Sequence, residues 1–193
     1  MPNRRIRAPF GLLFMMAGIG VSSVAHSQIT VYNNFTNGDG FNLGFGQNVT
    51  GTPYRGAASI FTVGSTAVNL KNVTVAVSAT NSNMFFDIRV VADNFGPDDT
   101  HILETFSSLT PNGGFTTTYP AETFNSVATP FLAANTSYWL EVLPTNSSTA
   151  DVWNLNATGA KSMAVGGSGG LWAVASLATA PAFRVVGTVA SVP

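Results

Sequence analysis

Few side chains in this chain are equipped for chemistry. Beyond residue 27 it carries one histidine, His101, no cysteine, nine carboxylates and three tryptophans. Nucleophilic catalysis needs a base beside the nucleophile, so a Ser-His-Asp site would have to be assembled around His101. That residue follows Asp98, Asp99 and Thr100, where it reads as a solvated histidine at a strand end. Triads are recognised by geometry and not by sequence neighbours; no catalytic residue is assigned, and the chain reads as a non-enzyme. One histidine without cysteine also leaves zinc short of its usual ligands.

The acids allow two further readings. Glu104, Glu122 and Glu141 are the carboxylates that a glycoside hydrolase would pair across a glycosidic bond, although their flanks place them as outward residues on alternating strands. Asp93, Asp98 and Asp99 sit close together around Gly96 and Pro97. Hard cations take several oxygens from a flexible loop, so Ca²⁺ is the metal for which these three form a candidate site. Their spacing is not that of an EF-hand, and aspartate also favours turns for its own hydrogen bonding.

The tryptophans point to a different chemistry. An indole can stack on the apolar face of a sugar while asparagine and threonine bond its hydroxyls. Trp139, between Tyr138 and Leu140 in an apolar run, is expected in the core. Trp153 and Trp172, beside polar or glycine-rich stretches, are the expected sugar platforms, with Tyr54 and Tyr119 as further candidate contacts.

Composition bounds the setting for this chemistry. The 193 residues are 45% hydrophobic and only 9% charged, enough for one sizeable core and one domain. Arg4, Arg5 and Arg7 precede an apolar run from Phe10 to Val24 and then Ala25-His26-Ser27. That is the layout of a secretory signal peptide over residues 1–27, leaving a domain over residues 28–193. Gly11, Gly18 and Gly20 interrupt the run, which falls short of the ~20 apolar residues of a transmembrane helix. Removing three of eight basic residues and none of nine acidic ones leaves five against nine, a net charge of −4. No basic cluster remains for nucleic acid or anionic membrane, no span is expected in the mature chain, and without cysteine an exported domain must hold by its core alone.

The elements that position these residues read as strands. Leu132 to Leu143 leads from a small-residue turn at Ala133 to Thr136 into Tyr138-Trp139-Leu140-Glu141-Val142-Leu143, an aromatic and branched run suited to a central strand. Gln28 to Tyr32, Phe41 to Phe45, Ala58 to Val63, Ala67 to Ser78, Met84 to Val91, Ile102 to Leu109, Phe115 to Phe124, Val152 to Leu155, Leu171-Trp172 and Phe183 to Val186 are predicted to join it. The Asn-Gly and Asp-Gly pairs at Asn37 to Gly40 mark a tight turn. Asn81 to Asn83 is predicted to close a hairpin between its flanking runs, Asp93 to Thr100 to be loop, and Gly166 to Gly170 to be the most flexible stretch of the domain. About ten short strands with regular turn signals predict an all-β, antiparallel sandwich of jelly-roll type.

Several local patterns occur in a telling order: Phe61-Thr62-Val63-Gly64 with Leu70 and Val73, Asp93 with Gly96-Pro97, Leu132 to Trp139, Trp153, and Ala182-Phe183-Arg184-Val185-Val186-Gly187. Over residues 29 to 190 the chain thereby resembles bacterial exported domains of the choice-of-anchor type, which are associated with PEP-CTERM sorting tails. The resemblance implies a β-sandwich surface or matrix protein with no settled enzymatic role, found alongside exopolysaccharide production. A sorting tail would begin Val-Pro-Glu-Pro, and this sequence stops at Val192-Pro193, so the expectation is release without an anchor. The combined expectation is a secreted, non-enzymatic protein of the cell surface or extracellular matrix that binds polysaccharide. The alternatives are a structural subunit that self-associates through strand edges and a glycoside hydrolase.

Overall fold

A computed structural model describes residues 27–80, 85–166 and 171–190. The signal-peptide stretch before Ser27, the expected Asn81 to Asn83 turn, most of the glycine run and Val192-Pro193 lie outside the described residues. Those that are described form fourteen strands and no helix, so none of them forms a helix long and apolar enough to cross a membrane. In chain order the strands are β1 (Gln28–Asn33), β2 (Phe41–Gly51), β3 (Tyr54–Thr62), β4 (Val68–Val75), β5 (Val77–Ala79), β6 (Phe86–Asp93), β7 (Pro97–Leu109), β8 (Glu122–Asn125), β9 (Phe131–Leu132), β10 (Ser137–Pro144), β11 (Ala150–Asn156), β12 (Lys161–Gly166), β13 (Trp172–Thr179) and β14 (Phe183–Val189).

Two antiparallel sheets pack as a sandwich. One runs β1-β14-β4-β8 with β9 also on β4; the other runs β5-β11-β2-β3-β10-β6-β7. Val73, Val75, Phe183 and Val185 from the first sheet meet Phe61, Ile88, Val90, Leu140, Val142 and Trp153 from the second in the main core. The period of two in β10 sends Leu140 and Val142 inward to that core, and Trp139 and Glu141 to the opposite face.

That opposite face is also covered, because the second sheet curls. Along one edge of β3, Tyr54 and Arg55 pair with β2, but from Gly56 to Ser59 the partner is β12, which carries β13 beyond it. The curl gives β10 cover on both sides, and every residue from Tyr138 to Pro144 is buried. A second, smaller apolar cluster of Ala58, Val91, Trp139 and Ala164, with Ile60 and Trp172 packed on it, fills the concavity.

The all-β antiparallel class and the central Tyr138 strand agree with the sequence reading, as does the Asn37 to Gly40 turn, where Gly38 and Asp39 take φ of 72° and 57°. Three local expectations are corrected. The runs on either side of Asn81 to Asn83 do not pair with each other: β5 pairs with β11, and β6 with β10 and β7. The stretch Asp93 to Thr100 is mostly strand, since β7 begins at Pro97 and pairs back on β6 with only Asn94, Phe95 and Gly96 between them. Proline is tolerated there because it opens the strand. Of Phe115 to Phe124, only the part from Glu122 is strand; β12, which the sequence reading omitted, supplies the curl instead.

Asparagine side chains join the two sheets where the backbone passes between them. Asn34 Nδ2 donates to Pro181 O (2.7 Å) while its Oδ1 accepts from Phe183 N (2.7 Å). Asn156 Nδ2 donates to Ala180 O (2.5 Å), and Trp153 Nε1 to Ala182 O (2.9 Å). Four consecutive residues ahead of and into β14 are thus bonded by side chains, which satisfies buried backbone groups that a regular ladder would otherwise pair.

Candidate ligand-binding site

The concave face of the curled sheet gathers side chains that are far apart in sequence. Glu141 stands opposite Ala58 of β3 and Arg89 of β6; Trp139 stands opposite Ile60 and Val91. Gly56 and Tyr54 follow Ala58 at intervals of two along β3, so they share its face. Trp172 enters from β13, and its Nε1 donates to Asp99 Oδ2 of β7 at 3.2 Å. The two margins of the curled sheet therefore touch over the concavity.

The indole of Trp172 is only partly buried and has a fixed seat. A Cβ built on Gly56 would lie 3.3 Å from its Cη2 and 2.5 Å from Leu143 Cδ2, so the ring and Leu143 occupy the space that glycine leaves open. Tyr54, 41% exposed, lies two residues before Gly56 on the same face of β3. At the lip, Phe95 is fully exposed at a φ of 59°, a conformation that bulky residues rarely adopt. Next to it Gly96 approaches Val174 of β13, which is itself exposed.

Below this aromatic lip lies an ionisable floor. Glu141 is fully buried, and neither of its carboxyl oxygens has a hydrogen-bond partner among the described residues; the same holds for Asp99 Oδ1 and Arg89 Nε. Burial pushes Glu141 up to about 8, the nearby Asp99 carboxyl adds to the rise, and Arg89 opposes it. Burial also raises the Tyr54 phenol; Arg89 acts against this, and Asp99, Glu141 and Asp87 with it. A carboxylate only accepts hydrogen bonds, so two facing carboxyls are compatible when one keeps its proton. Glu141, the more enclosed of the two, is accordingly read as the one that keeps it.

Of the expected sugar contacts, Trp172 and Tyr54 are brought together here, and Trp153 and Tyr119 are not. Trp153 is completely buried, edge-on to Phe183 with ring centroids 5.8 Å apart. It is a core residue and not a platform, because Val152-Trp153-Asn154-Leu155 runs between β5 and β2 instead of at a loop. Trp139 is buried as expected, its Nε1 donating to Asp93 Oδ1 at 2.8 Å. Tyr119 lies elsewhere, its hydroxyl accepting from Asn154 Nδ2 and its ring 5.4 Å from Phe41. Burial pushes its phenol up to about 12, and with Phe41, Leu43 and Asp39 it lines a separate cleft of about 270 Å³.

The three aspartates of the candidate Ca²⁺ site do not converge. Asp93 accepts from Trp139 and from Gly96 N, and Asp99 from Trp172. Asp98 points to Thr100 and His101, whose hydrogen bonds hold its carboxyl below the usual range. Among the described residues no group of three or more histidine, cysteine or acidic side chains is placed to hold a metal.

His101 is 72% exposed, and its Nδ1 faces both Asp98 Oδ2 (2.6 Å) and Thr100 Oγ1 (3.0 Å). A triad needs the orienting acid and the hydroxyl on opposite ring nitrogens; here both crowd the same one. The glutamates also differ from expectation, since Glu104 and Glu141 are buried and not outward. Glu104 of β7 is capped by Ser126 Oγ, Val127 N (2.7 Å) and Ala128 N (3.1 Å), while Glu122 lies on β8 of the other sheet. The three do not form a pair. Sequence reasoning missed the partnership of Glu141 with Asp99 and Arg89, and the only signal for it was a charge inside an otherwise apolar run.

Comparison with known protein families, characterised proteins and solved structures finds no match for this chain.

Proposed function

We propose that the protein is an exported, non-enzymatic carbohydrate-binding domain of choice-of-anchor type that takes a neutral polysaccharide at the lip of the curled sheet. The observation that supports this reading is the seated, partly exposed Trp172 beside Tyr54, with hydrogen-bonding groups of Asp99 and Arg89 next to it. A flat ring locked in place stacks on a sugar with little loss of side-chain freedom. The charge of −4 in residues 28–193 makes a neutral glycan the better fit, with binding that changes little with salt.

Affinity electrophoresis in gels of neutral and of acidic polysaccharides tests this. Wild type should be retarded in a neutral gel, and Trp172→Ala should weaken binding by about tenfold or more, a loss of about 1.4 kcal/mol or more. Its melting temperature should fall by only a few degrees, since the ring sits at the rim. Trp172→Phe should restore part of the retardation. Absence of retardation of wild type in every gel, or an unaffected Trp172→Ala, overturns the reading.

One observation favours the self-associating alternative. Among the described residues strand β13 pairs with β12 alone; it carries no charged residue and is exposed from Ala173 to Leu177, the kind of unprotected edge that invites strand addition. Under this reading, sedimentation velocity shows a concentration-dependent dimer that Ala175→Lys abolishes; a wild-type monomer at all concentrations rejects it.

A further inference from the structure

We propose that the contact between Glu141 and Asp99 is a proton-operated latch: the shared proton holds Asp99 in place to accept from Trp172, and its loss frees β13 from β7 and dismantles the lip. The part of this that concerns ligand rests on the carbohydrate reading above; the latch itself does not.

Two carboxyl groups on different strands, β10 and β7, present three buried oxygens with no partner among the described residues. A proton between them satisfies two of those oxygens at once. The other oxygen of Asp99 accepts from Trp172, so a single carboxyl links the interior of β10 to the far margin of the sheet. Strand β13 has no ladder except with β12, and this hydrogen bond is the only polar side-chain tie from β13 to β7 among the described residues.

Charged and titratable groups around Glu141 favour a protonated state over a bound cation. β6 contributes Arg89 and, near the rim, Asp87; β3 contributes Tyr54; β7 contributes Asp99; β13 presents no ionisable side chain. Arg89 is a positive charge already at the site, and two acids without a third ligand make a poor cation cage. Deprotonation sets two negative charges against each other where water cannot screen them. The nearer escape to solvent belongs to Asp99, which is only partly buried whereas Glu141 is fully enclosed, and its departure takes the Trp172 bond with it.

The test uses the whole folded protein without ligand. Carboxyl ¹³C shifts of labelled glutamate should show Glu141 titrating near pH 8. Pulsed hydrogen exchange, corrected for the intrinsic effect of pH, should show protection of residues 172–179 falling about tenfold or more through the same interval. In Glu141→Gln, whose amide donates to Asp99 at every pH, that protection should stay level. Titration of Glu141 in its ordinary range overturns the latch even where the variant fails to fold, and so does a fall in β13 protection that persists unchanged in Glu141→Gln. Gel retardation separates the two readings. A latch that titrates with no retardation at any pH leaves the latch and rejects the glycan, while retardation that stays constant from pH 6 to pH 9.5 together with level β13 protection keeps the glycan and rejects the latch.

Discussion

The unfolding free energy of this protein is expected to fall as pH rises from about 4.5 to about 8, so that it is most stable in mild acid. Two buried acids set the direction. Asp151, on β11, faces the core on the same side as Trp153; neither of its oxygens has a partner among the described residues, and burial alone pushes it up to about 7. Glu141, on the other face of the sheet, is pushed up to about 8. In both cases the folded state holds a proton that the unfolded chain releases near pH 4. The stabilisation is therefore complete below the ordinary carboxyl range and is lost as pH climbs through the folded values. Each group contributes a slope of up to about 1.4 kcal/mol per pH unit, which over two or three units is comparable with a total stability of ~5–15 kcal/mol. Asp98 acts in the opposite sense, but at the surface and only below its ordinary range. Urea midpoints at pH 5, 6.5 and 8 measure the effect. Asp151→Asn should flatten the lower part of the profile and make the variant more stable than wild type at pH 8. A wild-type midpoint that is level or rises across this interval would show that neither acid is held neutral.

Replacing Trp153 with alanine is expected to cost ~3–5 kcal/mol from lost packing, and about 1 kcal/mol more because the buried carbonyl of Ala182 then keeps only its longer bond from Ala76 N. For a chain of this size the packing loss alone corresponds to a fall in melting temperature of roughly 6–20 °C. The ring lies at the junction of the sheets: β11 holds it, Phe183 of β14 meets it edge-on, and its Nε1 bonds the segment that crosses between them. Trp153→Phe keeps most of the apolar contact but not the hydrogen bond, so it should fall between alanine and wild type. Differential scanning calorimetry distinguishes this role from the surface-platform expectation. A platform residue would leave the melting temperature almost unchanged while weakening a ligand, and such a result would contradict the buried position.

The contrast between Trp153 and Trp172 shows what each level of description decides. Both stand beside polar or glycine-rich residues, and in sequence they looked alike as platforms. Their difference arises from strand neighbours: β11 has a strand on each side, whereas β13 is an edge. Pairing partners far away in the chain cannot be read from local pattern, because alternation tells which residues share a face and not what covers that face. The same reason explains the misplaced hairpin at Asn81 to Asn83. A turn signal reports that the chain reverses, while the choice of partner is made by burial across the whole sandwich, here β11 for β5 and β10 and β7 for β6.

The sequence by itself determined the class of fold. Branched and aromatic runs, period-two patterning and Asn-Gly or Asp-Gly turns are local properties, and they led to antiparallel strands, to Tyr138 through Leu143 as a central element and to Trp139 as a core residue. The site was decided only by tertiary structure. Glu141 reads as an outward charge on an alternating strand until β12 and β13 curl over it, and Asp99 reads as a turn residue until β7 is seen to extend through it. Desolvation and the approach of one acid to another depend on distance in space, to which a single sequence is nearly blind; the chemistry of this protein lies in contacts among β3, β6, β7, β10 and β13 that arise when one sheet bends back on itself.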